Sequence, residues 1–465
     1  MSRKQYNIIS LAGIVSLLVL MASCKKYTEI GPPPNYVLGA DVFTDSLSST
    51  DAVLGIYTTL NSTGLISDNE TAYTGLSSDE LNKINADNDQ LQLVNNQLAS
   101  TNSHTADLWS SAYQVIAQAN ACIAGLATSK AISAGLIKQY TSEAEFMRAF
   151  SYFYLVNLYG DVPLVLNTNY QKESTIARTP ASQVYLQIIS DLQNAVNDLP
   201  TSYASGQHVR ATKWAATALL ARVNLYLKNW AIAQTLATSV INNSGTSLEP
   251  DLNNVFLIGS SEAIWQVQPP TYYKNAIDFD VMFNYSYGYY ITNSLFNAFE
   301  PGDQRKSAWL DSTVNSGQPT VYYPYKYKAD AYSGNSTEYT VMLRLAEQYL
   351  IRAEALANQN NIPAAIADLN TIRNRAGLPN LSTSLTAVQF AAAIEHERRI
   401  ELFAEWGHRW LDLKRLPSVT VPGNSRADDV LGVLKAPNWQ PSDQLYPIPY
   451  QDTKLNPNLT QNPGY

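Results

Sequence analysis

The chain has 465 residues and a formal charge of −8, and only 15% of it is charged, against roughly 25% in an average soluble protein. Tyrosine alone contributes 30 residues. An acidic, charge-poor, tyrosine-rich chain is not built to bind nucleic acid; its surface is expected to be polar, uncharged and aromatic, which suits neutral ligands.

The first 23 residues carry Arg3 and Lys4, an apolar run from Ile8 to Met21, and the small residues Ala22 and Ser23 before Cys24. This is the layout of a secretory signal peptide, and the run falls short of the roughly 20 apolar residues of a spanning helix. A cysteine directly after small residues offers the thiol that takes up a diacylglycerol before the peptide is cut. Cys24 is therefore the expected lipidation site and the new N-terminus. Loss of Arg3 and Lys4 takes the charge from −8 to −10, and Cys122 is left as the single thiol of the mature chain. No intrachain disulfide is expected, and the helical, apolar setting of Cys122 reads as a buried, inert thiol.

Residues 24–40, with Lys25-Lys26 and Gly31-Pro32-Pro33-Pro34, have no periodicity and read as an extended lipidated tether of at most roughly 50 Å at about 3.1 Å per residue. Beyond it, apolar residues at three- and four-residue spacing predict helices over 105–127, 136–159, 182–199, 211–227, 231–241, 339–357, 363–376 and 387–405. Leu219–Ile241 and Gln348–Ile372 repeat one design, a helix with small residues and leucines that turns into a second Ala-rich helix. Tetratricopeptide (TPR) units are built this way. Between the two, residues 246–337 are rich in Tyr, Gly, Asn, Ser and Pro and lose periodicity. A stretch that long is an elaborated face of the same body rather than a linker. The expected organisation is thus all-α, with a helical part over 41–245 and a second part over 246–465 that together form one compact unit.

Catalytic signatures are missing: the sequence has no GxGxxG, P-loop, GxSxG or CxxC. Gly75-Leu76-Ser77-Ser78-Asp79 fails as a nucleophile elbow at Asp79, where glycine is required. Glu395-His396-Glu397 opens like a zincin helix, but the second histidine would fall at Ile400. No metal or cofactor is expected. Glu397, Glu401 and Glu405 recur at four-residue spacing beside Arg398, Arg399, Arg409, Lys414 and Arg415. Paired carboxylates can hydrolyse glycosides, yet flanking arginines hold carboxylates ionised, the wrong state for a general acid, so a structural ion-pair network is the better reading.

The tyrosines point more directly to a ligand. Tyr272, Tyr273, Tyr285, Tyr287, Tyr289 and Tyr290 form one cluster, and Tyr322, Tyr323, Tyr325, Tyr327 and Tyr332 another. Flat apolar rings with polar rims match the C–H faces and hydroxyls of sugars. The alternation of Tyr285, Tyr287 and Tyr289 is that of a strand, which would put these three on one face and Tyr290 on the other.

Several stretches resemble the SusD/RagB family of nutrient-uptake lipoproteins. They are Ala144–Tyr154 running on to Leu158-Tyr159-Gly160-Asp161-Val162-Pro163, then Ala211–Ala216 with Ala221-Arg222, Leu345-Ala346-Glu347 into Arg352–Ala355, Leu369–Arg373, Glu397–Arg399 through Trp410–Arg415, and Leu445–Pro449 with the final Asn456–Tyr465. The resemblance implies an all-helical scaffold of about four TPR-like helix pairs with a loop-rich ligand-binding face. It implies attachment by the N-terminal lipid to the bacterial outer membrane, facing the exterior, and a SusC-like TonB-dependent transporter as partner. In starch-binding members the ligand meets an arc drawn from the early loop and the mid-chain excursion. Here those regions hold Tyr73, Asp79 and Glu80, and Tyr272, Tyr273, Tyr285, Tyr287 and Tyr289. A non-catalytic oligosaccharide-binding protein is the first reading. Peptide capture on the same tyrosines is the alternative, and a secreted glycosidase using Asp278, Asp280 or Asp303 is the third.

Overall fold

The computed structural model describes the chain except for residues 1–41, 63–68, 205, 270–273, 277–287, 315–319 and 333. Cys24, the signal segment and the tether therefore lie outside the described residues, as do Tyr272, Tyr273, Tyr285 and Tyr287. Among the described residues, no helix is long and apolar enough to cross a membrane.

The scaffold is a row of helices, each packed on the next: α1 (Ser46–Ser62), α4 (Ser103–Thr128), α5 (Ala134–Tyr159), α6 (Ala181–Asp198), α7 (Lys213–Tyr226), α8 (Trp230–Asn243), α9 (Leu345–Asn358) and α10 (Ile362–Arg375). Eight helices in sequence order make four pairs, the build of a TPR-like stack. Shorter α2 (Asn69–Ser77) and α3 (Asn88–Asn95) lie between α1 and α4, and α11 (Ala387–Glu401), α12 (His408–Arg415) and α13 (Arg426–Leu434) follow the row. Helix α5 is buried almost all round, with Phe146, Phe150, Phe153 and Tyr154 in the core and the Trp265 indole 4.9 Å from the Phe146 ring, as expected of a helix with apolar residues on every side. Arg148 on α5 donates to both oxygens of Asp191 on α6 at 2.8 Å and to Asn120 on α4 at 2.7 Å, tying three helices together. Cys122 on α4 is buried, and burial pushes its thiol up to about 12.

The repeat seen in the sequence is sharp in the structure. Pairs α7–α8 and α9–α10 each consist of two 14-residue helices, and the connectors turn through Lys228 at φ 59° and Asn360 at φ 63°. The pairs meet across alanines, Ala221, Ala233 and Ala237 against Ile351 and Ala355; side chains this small let the helices approach closely. Arg222 and Glu347 clamp them with two hydrogen bonds of 2.6 and 2.8 Å.

Two sequence expectations shift. The helix predicted over 339–357 begins only at Leu345, because Thr340–Arg344 is a strand, β6, paired antiparallel with β2 (Ala263–Val267). Both strands are wholly buried; β-branched and apolar residues buried on both faces pack as well in a strand as in a helix, and a partner about eighty residues away decides. The helix predicted over 387–405 stops at Glu401, where Ala404, Trp406 and Gly407 take left-handed φ values before α12. The fold is thus mostly helical, with three two-stranded antiparallel ribbons among the described residues: β1 (Leu81–Lys83) with β3 (Tyr289–Ile291), β2 with β6, and β4 (Leu310–Thr313) with β5 (Val321–Pro324). One hydrophobic core runs from Val53 to Leu459 and draws on both the 41–245 and 246–465 parts.

Candidate functional site

The pairing of β1 with β3 joins two regions some two hundred residues apart, the loop after α2 and the mid-chain excursion. Leu81 faces Ile291, Asn82 faces Tyr290 and Lys83 faces Tyr289. Thr292 extends the junction: its amide donates to Glu80 O at 2.8 Å and its hydroxyl to Asp79 O at 2.5 Å. At Gly288, φ 72°, a Cβ would sit 3.0 Å from Ile84 O, so the close approach of the two chains calls for glycine.

Antiparallel partners point to the same face. Lys83 and Tyr289 share the inner one: Tyr289 is buried, with the Lys83 ammonium 4.1 Å from its ring centre. Asn82 and Tyr290 share the other and are both half-buried. Asn82, together with Asn95, Asn293 and Asn438 and the apolar Val94 and Leu434, lines a cleft of about 410 Å³ whose lining does not include Tyr290. That volume is in the range of small-molecule sites. Lys435 closes one side, its Nζ donating to the carbonyls of Leu76 and Ser77 at 2.8 and 2.7 Å. Burial pushes its amine down to about 7.

Each sequence-selected residue has a definite place. Tyr73 is buried, its ring 4.4 Å from that of His104. Asp79 lies in the wall of the cleft with both oxygens engaged: Arg409 Nε at 2.8 Å on one, Arg399 Nη2 at 2.7 Å on the other. Burial by itself would raise the Asp79 carboxyl, but Arg409 and Arg399 outweigh it and hold it at about 2. Glu80 is buried next to it, and burial together with the Asp79 charge pushes it up to about 8. Tyr73, Asp79, Glu80 and Tyr289 are thus all buried, while the half-buried groups of the β1–β3 pairing are Asn82, Lys83 and Tyr290. The strand alternation already separated Tyr290 from Tyr289; that Tyr290 is the outward one follows only from the pairing with β1. The amides of Asn95, Asn293 and Asn438 carried no periodic or motif signal.

The second tyrosine cluster supplies aromatic surface nearby, since β5 lies against β3. Tyr322 stacks on Phe296 with ring centres 4.1 Å apart, and the Lys306 ammonium sits 3.7 Å from the Phe296 ring. Tyr323 donates to Asp311 at 2.8 Å, Tyr332 is 59% exposed and Tyr327 is buried. Two further cavities, of about 480 and 460 Å³, touch neither the early loop nor the excursion.

The carboxylate ladder forms the ion-pair network expected of it. Arg305 binds Asp303, Glu397 and Glu401; Arg344 binds Glu262, Glu401 and Glu405; Arg375 binds Glu262 and Glu401. Burial works against the charge on Glu401, but Arg375, Arg344 and Arg305 hold it well below the usual carboxylate range. Lys326 completes the cluster at Glu405, its ammonium 4.1 Å from the Phe403 ring and 4.5 Å from Trp309.

A protein of Formosa agariphila called SusD-like protein P2 is 31% identical over 441 aligned residues, covering 80% of this chain and 83% of its own. This chain belongs to the SusD family. Its residues 281–465 match the SusD family itself, and residues 41–225 match the family described as starch-binding and associating with the outer membrane. The fold agrees. A SusD superfamily protein from Bacteroides vulgatus superposes with a TM-score of 0.79 at 20% identity, over 91% of this chain and all of that one. A laminarin-binding SusD-like protein gives 0.75 at 24% identity, with the same coverage.

Proposed function

We propose that this SusD-family chain is a non-catalytic glycan-binding lipoprotein. It holds an oligosaccharide in the cleft between the early loop and the excursion and delivers it to a SusC-like TonB-dependent transporter in the outer membrane, to which Cys24 anchors it through lipid. The observation that carries this reading is the β1–β3 pairing, which joins the early loop to the excursion at a cleft lined by Asn82, Asn95, Asn293 and Asn438, with Tyr290 opposite Asn82 in the register. Amides donate to and accept from sugar hydroxyls, and a ring such as Tyr290 covers a sugar's C–H face. The names of relatives, starch-binding for one matched family and laminarin-binding for a solved structure, agree with a neutral glycan as the ligand class. Of the carboxylates considered for a glycosidase, Asp303 is bound by Arg305, which favours binding over hydrolysis there, while Asp278 and Asp280 lie outside the described residues.

The test is a binding screen of the full chain in detergent against neutral oligosaccharides, with product analysis alongside. Retention of a glycan without new reducing ends, weakened by Tyr290→Ala and by Asn82→Ala at unchanged melting temperature, supports the site. Binding indifferent to both substitutions moves the ligand elsewhere, and hydrolysis of the bound glycan overturns the non-catalytic reading.

A further inference from the structure

Behind Asp79 and Ser294, which line the amide cleft, opens a second cavity of about 350 Å³ that these two residues line as well. Its character is different. Three guanidinium groups, of Arg399, Arg409 and Arg426, face two carboxylates, of Asp79 and Glu395. Both carboxylates are shared: Asp79 between Arg399 and Arg409, Glu395 between Arg409 at 3.2 Å and Arg426 at 3.0 Å. Arg426 also reaches Asp429 at 3.1 Å through Nη1, which leaves its Nη2 uncommitted. Arg399 donates to Ser294 Oγ at 2.9 Å, yet its Nε is buried with no hydrogen-bond acceptor among the described residues.

A buried N–H on a cation without an acceptor is costly. Arg399 is under-compensated by its neighbours as a whole: burial draws it below the usual arginine range, and the charge of Asp79, shared with Arg409, offsets this only in part. The contrast with Arg305 is instructive, because that side chain is fully buried and has three carboxylates around it. Two carboxylates line the cavity against three guanidinium groups, with Asp429 bound to Arg426 outside the lining, and the cavity is open: the Arg426 side chain is 24% exposed and that of Arg399 13%.

We infer that the arginine cavity is a second subsite, which takes a carboxylate or sulfate-ester substituent of the glycan whose uncharged rings occupy the amide cleft. The inference rests on the glycan-binding reading of the adjoining cleft and narrows it to acidic glycans. An oxyanion at the open edge, beside Arg426 Nη2, receives charge-assisted hydrogen bonds, which are stronger than those between neutral groups. Ser294, at the boundary of the two cavities, positions the Arg399 guanidinium.

The experiment is calorimetric titration of the full chain in detergent with matched pairs of oligosaccharides. One pair is uronate-bearing chains and the same chains with the carboxyls reduced to primary alcohols; the other is sulfated chains and the same chains desulfated. The expected result is that one acidic member binds at least about tenfold more tightly than its uncharged counterpart. Arg426→Gln, at the open edge, should remove most of that preference while leaving the uncharged chains bound within about twofold. Which pair shows the preference tells carboxylate from sulfate. Equal binding within both pairs, or equal losses for charged and uncharged chains in Arg426→Gln, overturns the acidic subsite and leaves the neutral-glycan reading standing. Failure of every oligosaccharide to bind overturns both.

Discussion

Two clusters of arginine and carboxylate lie within the last two hundred residues, and they are opposites. Around Arg305, Arg344 and Arg375, every guanidinium meets two or three carboxylates and the side chains are at most 4% exposed. Around Arg399, Arg409 and Arg426, a cavity opens onto the cluster and the Arg426 side chain is 24% exposed. Both clusters share carboxylates between arginines, and both contain a buried guanidinium N–H with no acceptor among the described residues, at Arg375 and at Arg399. Both draw on the α11 segment and its neighbours, Glu397, Glu401 and Glu405 serving the first, Glu395 and Arg399 the second. Composition does not separate scaffold from site here. Burial does.

The largest effect expected from this contrast is on stability. Removing one partner of a buried pair strands the other charge, so Arg344→Met should lower unfolding free energy by about 3–5 kcal/mol in denaturant titration, whereas Arg426→Gln in the open cluster should change it by less than about 1 kcal/mol. Comparable losses in the two variants would erase the distinction.

A third state of buried carboxylate sharpens it. Glu70 has neither oxygen hydrogen-bonded among the described residues, and burial pushes it up to about 8. Its folded pKa thus lies above the value of about 4.3 of the unfolded chain. The proton held by the fold contributes stability that is fully present below that lower value and is lost as pH rises through about 8. Glu70→Gln cannot titrate, so its melting temperature relative to the wild type should climb between pH 5 and pH 8, by the equivalent of roughly 3–4 kcal/mol. A difference independent of pH would mean that Glu70 is ionised in the fold.

Smaller effects belong to the neutral cleft. Tyr290→Ala should weaken binding of an oligosaccharide about tenfold, ~1.4 kcal/mol, and Asn82→Ala by about 0.5–1.5 kcal/mol, the worth of one hydrogen bond. Both are read by calorimetry, with melting temperature as the control. The smallest belongs to the repeats. Lys228 sits at φ 59°, a region that costs a residue with a Cβ roughly 1–2 kcal/mol, partly regained as the chain freedom that glycine adds when unfolded. Lys228→Gly should therefore stabilise by no more than about 1 kcal/mol in the same denaturant titration.

The helical row and its repeat were legible because amphipathic spacing and small residues at helix crossings are local signals. The ion-pair reading of Glu397, Glu401 and Glu405 was legible as a kind of interaction but not in its partners: Arg305, Arg344 and Arg375 bind them from elsewhere in the chain, whereas Arg398 binds Asp412 and Arg399 binds Asp79. The strand at Thr340–Arg344 was not, as it depends on a partner, Ala263–Val267, that no local pattern announces. The site was legible as two regions and not as residues. Asp79 was singled out as a polar group for sugar hydroxyls, and in the fold both of its oxygens face arginines from α11 and α12.

By itself the sequence determined the family, the helical scaffold and the neutral, aromatic character of the excursion, because these depend on composition and on periods of a few residues. Tertiary structure alone decided which tyrosine is half-buried, which asparagines line one cleft and which carboxylates each arginine meets. Each of those depends on strand register and on the approach of segments tens to hundreds of residues apart, so that a side chain's exposure and its charge balance are set by neighbours that the sequence does not place beside it.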